Sequence, residues 1–148
     1  MITREKITGE FTINFLMIKM TDHNNFSSMY REHIMDLYKN PSNFGELLNP
    51  TNEHTEYNSL CGDEVTVQII SDKERVKDVK FNGSGCVISM VSASLFTDKI
   101  KGMKLNDVRK LGKEDILKLL KIKINPMRLK CVFLPLEAVK HSLNKKNA

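Results

Sequence analysis

The chain has 148 residues, of which 41% are hydrophobic and 28% charged, with three cysteines, no tryptophan and a formal net charge of +5. At roughly 100–200 residues per domain this is enough for one packed core, and the composition excludes collagen, coiled-coil arrays, disulfide-dense secreted scaffolds and global disorder. The charge is polarised, since residues 1–100 carry 10 basic and 14 acidic side chains while residues 101–148 carry 13 and 4; a basic third suits nucleic acid, an anionic membrane, an acidic protein partner or simply a solvated helical face.

No stretch reaches the ~18 apolar residues that span a bilayer. The short run Phe11–Ile18 is broken by Asn14 and is not followed by a small-residue cleavage site, so neither a signal peptide nor a membrane anchor is expected. The expected compartment is the cytoplasm, where cysteines stay reduced. Residues 1–26 show no strong periodicity and read as an extension; the domain proper is expected over 27–148.

Ser27-Ser28 offers a cap for a helix over about 29–39, with Ile34, Leu37 and Tyr38 at i, i+3, i+4. Asn40-Pro41 stops it, and Pro41–Gly45 reads as a loop. Three strand-like runs follow. His54–Leu60 is weak, Val65–Ile70 is β-branched and alternating, and Val76–Asn82 alternates imperfectly. The short links Cys61-Gly62-Asp63 and Ser71–Arg75 predict an antiparallel meander.

From Cys86 the period becomes helical. Val87–Ile100 is apolar and rich in small residues, and Gly102 ends it. Leu105–Leu111 and Glu114–Lys123 read as two short helices, and a last helix is expected over 128–144 with Pro135 in or near its first turn. The fold class is therefore α+β: a small three-stranded antiparallel sheet with helices packed on one face.

The candidates for chemistry are Cys61, Cys86 and Cys131, spaced 25 and 45 residues apart. With no C-x-x-C pair the spacing alone is weak, and an isolated cysteine is commonly a small buried hydrophobe. Local context adds more. In Cys61-Gly62-Asp63, residues i and i+2 of an extended segment face the same way, so thiol and carboxylate share a side. Cys86 follows Gly83-Ser84-Gly85 and opens the apolar helix, where the dipole favours a thiolate. Cys131 lies in Arg128-Leu129-Lys130-Cys131, and two neighbouring cations are expected to stabilise its thiolate; the alternative is a core cysteine on an amphipathic helix. Three thiols and one carboxylate suit zinc or an iron–sulfur cluster better than calcium or magnesium. None of the four histidines adjoins a cysteine, and no Walker A, G-x-S-x-G or H-E-x-x-H motif occurs. Aromatic residues are 7% and follow no RNA-binding pattern, so nothing but charge would speak for nucleic acid.

Taken in order, these segments resemble the U-type iron–sulfur cluster assembly scaffolds (IscU, SufU and the N-terminal domain of NifU). Tyr38-Lys39-Asn40-Pro41-Ser42-Asn43-Phe44-Gly45 is similar to their Y-x-N-P-x-N-x-G loop. Cys61-Gly62-Asp63 matches the first cysteine with its aspartate. Gly83–Ser94 matches the G-x-G-C-x-I-S-x-A-S-x-S segment, with Val91 where alanine is usual, and Arg128–Cys131 matches the third-cysteine segment.

The resemblance implies that Cys61, Asp63, Cys86 and Cys131 converge on one exposed site. That site would take sulfur from a cysteine desulfurase, gather iron, build a [2Fe–2S] cluster and hand it to acceptor apo-proteins. It implies no nucleic acid and no membrane among the partners. It also allows a homodimer through Tyr30 and docking of the basic segment 101–148 on an acidic desulfurase surface. Two features split the family. Lys130 replaces the histidine usual in IscU, and Arg128-x-Lys130-Cys131 with Leu134-Pro135 is similar to SufU, yet the 45-residue spacing leaves no room for the insertion of SufU. The main expectation is a non-enzymatic scaffold. The alternative is a zinc-dependent sulfurtransferase, with zinc on the same four residues and Cys61 as persulfide acceptor.

Overall fold

The computed structural model describes residues 23–144, so the reading of the N-terminal extension falls mostly outside the described residues. Contacts divide the chain into two units, Met1–Asp36 and Leu37–Ala148, and everything from the Pro41 loop onward belongs to the second. Helix α1 spans His23–Lys39, so Ser27 and Ser28 lie inside it instead of capping it.

The meander is β1 (Asn52–Asn58), β2 (Asp63–Ser71) and β3 (Val76–Ser84), in the spatial order β1-β2-β3 and antiparallel throughout. Alternation on β2 puts Val65, Val67 and Ile69 on one face, all at 0% exposure, and Asp63 shares their parity. Pairing sets Asn58 opposite Asp63, Glu56 opposite Val65 and His54 opposite Val67. On the other side Val67 faces Phe81 and Ile69 faces Val79. Strand β1 begins and ends two residues earlier than its sequence signal, because Ser59–Gly62 is used up by a tight turn closed by the Gly62 amide on the Asn58 carbonyl at 2.8 Å.

The Asn40–Gly45 motif docks on the free edge of β3. Asn43 takes a left-handed conformation at φ 64°, and its carbonyl and the Gly45 amide exchange backbone hydrogen bonds with Phe81, both 2.9 Å long. The Asn43 side chain donates to Thr97 Oγ1 at 3.0 Å and accepts from Lys101 Nζ at 2.6 Å. The motif is thus a clamp between the sheet edge and the helix behind it.

Helix α2 runs Val87–Ile100, as the sequence predicts, and is buried on nearly all sides; Phe96 and Ile100 are fully enclosed. Short helices α3 (Leu105–Lys110) and α4 (Lys113–Leu120) follow. Helix α4 stops three residues before its sequence signal because Lys121 turns left-handed at φ 57°. A 3-10 turn at Pro126–Arg128, capped by Asn125 Oδ1 on the Met127 amide at 2.9 Å, leads into α5 (Leu129–Asn144). Pro135 lies well inside α5 rather than in its first turn. Having no N–H, it leaves the Cys131 carbonyl, four residues earlier, without a helical donor. Helices α2 and α5 cover the face of the sheet that carries Val65, Val67 and Ile69, and α4 packs on both helices. The core sits between them.

A cysteine and aspartate cluster at the end of the sheet

Each of the four predicted site residues reaches one place by a different local device. Asp63 opens β2 on its core-facing side and is 2% exposed. Cys61 sits on the tip of the β1–β2 turn, exposed to solvent. Its approach to Asp63 does not come from strand alternation, as the sequence reading has it. It comes from the bend at Gly62, whose φ of 72° is open to glycine at little cost. Cys86 is half-buried at the N-cap of α2, one residue before the first helical position. Cys131 lies in the first turn of α5 and is 0% exposed.

The side chains converge. One ligand atom each from Cys61, Asp63 and Cys131 lie within 4.8 Å of one another. The Cys61 and Cys131 sulfurs are 3.6 Å apart, and Cys86 Sγ is 4.0 Å from Asp63 Oδ2. The resemblance implies one exposed site; the geometry is a stepped one, with Cys61 on the rim and Asp63 and Cys131 on the floor.

Asp63 is the hub. Its Oδ1 accepts from the Cys86 amide at 2.9 Å, and its Oδ2 accepts from Ser89 Oγ at 2.9 Å and Asn58 Nδ2 at 3.5 Å. Burial opposes its charge, but hydrogen bonds from the Cys131 thiol, the Cys86 amide, Ser89 and Asn58 together outweigh burial and hold its pKa below the usual carboxylate range. Asp63 therefore offers an oxygen ligand with no proton to displace.

Cys131 follows the second of its two sequence readings, a core cysteine at the start of an amphipathic helix, and not the cation-stabilised thiolate. Arg128 and Lys130 are both exposed and do not solvate its sulfur. Burial, then hydrogen bonding to Asp63, Cys61 and Cys86, pushes its thiol far above the ordinary cysteine value. Any cation bound there must expel that proton. Apparent metal affinity should accordingly climb with pH, by about tenfold per unit from this thiol alone. Competition titrations against a chelator from pH 6 to 8 check this. Cys131→Ser should reduce the slope by about one proton, and an unchanged slope would contradict the assignment.

Two residues of the cluster were not singled out from sequence. Ser89 lies one turn beyond Cys86, also within 3.7 Å of its sulfur and 3.4 Å of the Cys131 carbonyl that Pro135 leaves free. Asn58 reaches both Asp63 and Cys131 Sγ, the latter at 3.6 Å. The i, i+3 spacing on a helix and the first pair of a hairpin were the available signals.

The donor set is three sulfurs and one carboxylate oxygen, which fits borderline and soft cations and sulfide-bridged iron. The family pattern described as NifU-like N terminal domain matches residues 29–147. The zinc-dependent sulfurtransferase SufU of Bacillus subtilis (strain 168) is 35% identical over 143 residues, covering 85% of this chain and 97% of the relative. The iron-sulfur cluster assembly scaffold protein IscU of Thermotoga maritima is 34% identical over 137 residues, covering 81% and 96%. A solved scaffold for the SUF system from Fervidobacterium islandicum AW-1 superposes with a TM-score of 0.63 at 28% identity, covering 75% of this chain and 93% of that one. With the family pattern spanning nearly all of its described residues and relatives above 30% identity along most of their length, the chain belongs to the NifU-like N-terminal domain family.

Proposed function

We propose that the protein is an iron–sulfur cluster assembly scaffold. Cys61, Asp63, Cys86 and Cys131 hold iron and sulfide as cargo, in the form of a [2Fe–2S] cluster. A cysteine desulfurase supplies the sulfur, and acceptor apo-proteins take the finished cluster. The observation that carries this reading is the mixed donor set on a stepped site. A buried sulfur and a buried carboxylate anchor the cargo, and the thiol on the turn stays open to a partner. A carboxylate ligand exchanges more readily than a thiolate, which suits delivery better than storage.

A second reading is favoured by the exposure of Cys61 and by the SufU relative. There zinc occupies the same four residues, and Cys61 accepts the sulfane sulfur of a desulfurase persulfide, returning the desulfurase cysteine as a thiol. Metal and acid-labile sulfide analysis separates the two. Anaerobic incubation with ferrous iron, cysteine, a desulfurase and a dithiol, which reduces the persulfide sulfur to sulfide, is expected to give equal iron and sulfide and visible cluster absorption. One tightly held zinc per chain, with no sulfide and no cluster after that treatment, would establish the second reading and remove the first.

A further inference from the structure

We propose that His54, Glu56 and His141 form a second metal site, taking a divalent transition cation of the Fe²⁺ or Zn²⁺ kind. His54 and Glu56 are two apart on β1 and so share its helix-facing side. Helix α5 brings His141 across to them. His54 Nε2 and His141 Nδ1 each lie 2.8 Å from the same oxygen, Glu56 Oε1. One donor atom from each of the three residues falls within 4.8 Å of the others.

Two imidazoles and a carboxylate are the ligands that zinc and ferrous iron accept readily. Bonds of about 2.0–2.2 Å place neighbouring donors roughly 3 Å apart, so the observed spacing needs only a small spread to admit an ion. The rings meet edge to face at 5.2 Å, and His54 Nε2 and His141 Nδ1 both turn to Glu56 Oε1. His54 Nδ1 is buried without a partner, so Glu56 is the polar anchor of that ring among the described residues. The side chains of His54, Glu56 and His141 are 22%, 24% and 49% exposed. The site is therefore formed on rigid elements and open on its outer side, with room for water or a further ligand.

This site shares no ligand with the cysteine cluster. His54 is four residues from Asn58 along β1, about 13 Å, and His141 is ten residues from Cys131 along α5, about 15 Å. The two clusters mark opposite ends of one β1–α5 seam, and the second stands whether or not the first carries iron and sulfide.

Anaerobic titration of the full chain with Co²⁺ alone tests the proposal. Two equivalents are expected. One shows intense thiolate-to-cobalt absorption, and the other only weak ligand-field bands of nitrogen and oxygen donors. His141→Ala, at a half-exposed position, should lose the second equivalent and keep the thiolate band, which also reports that the fold is intact. A wild-type protein with no equivalent of the nitrogen–oxygen type overturns the proposal, and so does retention of that equivalent in His141→Ala. Should the thiolate band fall as well, Glu56→Gln, which keeps the side-chain shape, is read by the same criterion.

Discussion

Asp63→Ala is expected to slow cluster delivery by about tenfold, equivalent to ~1.4 kcal/mol on the transfer barrier. In the scaffold reading, the carboxylate is the ligand that lets go first. Removing it leaves three thiolates and no labile oxygen, so a loaded cluster persists. The same change removes the acceptor of the Cys86 amide and leaves the Ser89 hydroxyl and the Asn58 amide with only their longer contacts to Cys131 and, for Ser89, to Cys86. Part of that loss is offset by water entering from the open rim, and a stability cost of about 1–3 kcal/mol is expected. Transfer to an apo-ferredoxin followed by circular dichroism measures the rate, and denaturant unfolding measures the cost. Unchanged transfer kinetics would remove Asp63 from the release step.

Gly83→Ala should be the most damaging single methyl group in the domain, costing roughly 3–5 kcal/mol. Gly83 pairs with Val65 at φ 139°, a conformation that residues with a Cβ rarely adopt. Its added carbon would overlap the Glu64 carbonyl oxygen and lie 3.1 Å from Val65 Cα. Both obstacles are backbone, so nothing there can rotate aside. The strain falls between β2 and β3, just before the chain turns into Cys86. A lowered denaturant midpoint should therefore come with weaker metal binding. A midpoint shift worth under about 1 kcal/mol would show that the sheet yields at this point.

Much of this was legible in the sequence, for reasons that can be named. Helix α2 has hard punctuation at both ends, with glycines before Cys86 and Gly102 beyond Ile100, and it emerges with the predicted bounds. The strands follow their β-branched alternation. Cys61, Asp63 and Cys86 stand out because cysteine and aspartate beside glycine at element ends are chemically conspicuous, whereas Cys131 stands out only as the third cysteine in a segment similar to the family's. Burial was not legible, because it depends on elements distant in sequence. Lys130 adjoins Cys131, yet successive helical residues point about 100° apart, so the cation faces water while the sulfur faces the core. The end of α4 was misread because a left-handed lysine leaves no compositional mark. The histidine cluster was not legible, since His141 meets His54 and Glu56 only when α5 lies along β1.

The parity of β2 has a further consequence. Asp63 occupies the same face as Val65, Val67 and Ile69, so the alternation that fills the core also aims the carboxylate. A slip of one residue would turn Asp63 outward only by turning three fully enclosed aliphatic side chains into water, which the fold resists strongly. On β1 the same rule ties His54, Glu56 and Asn58 to that face through their pairing with β2. The aim of both ligand clusters is thus inherited from the hydrophobic pattern, and the register of the sheet serves as their common alignment.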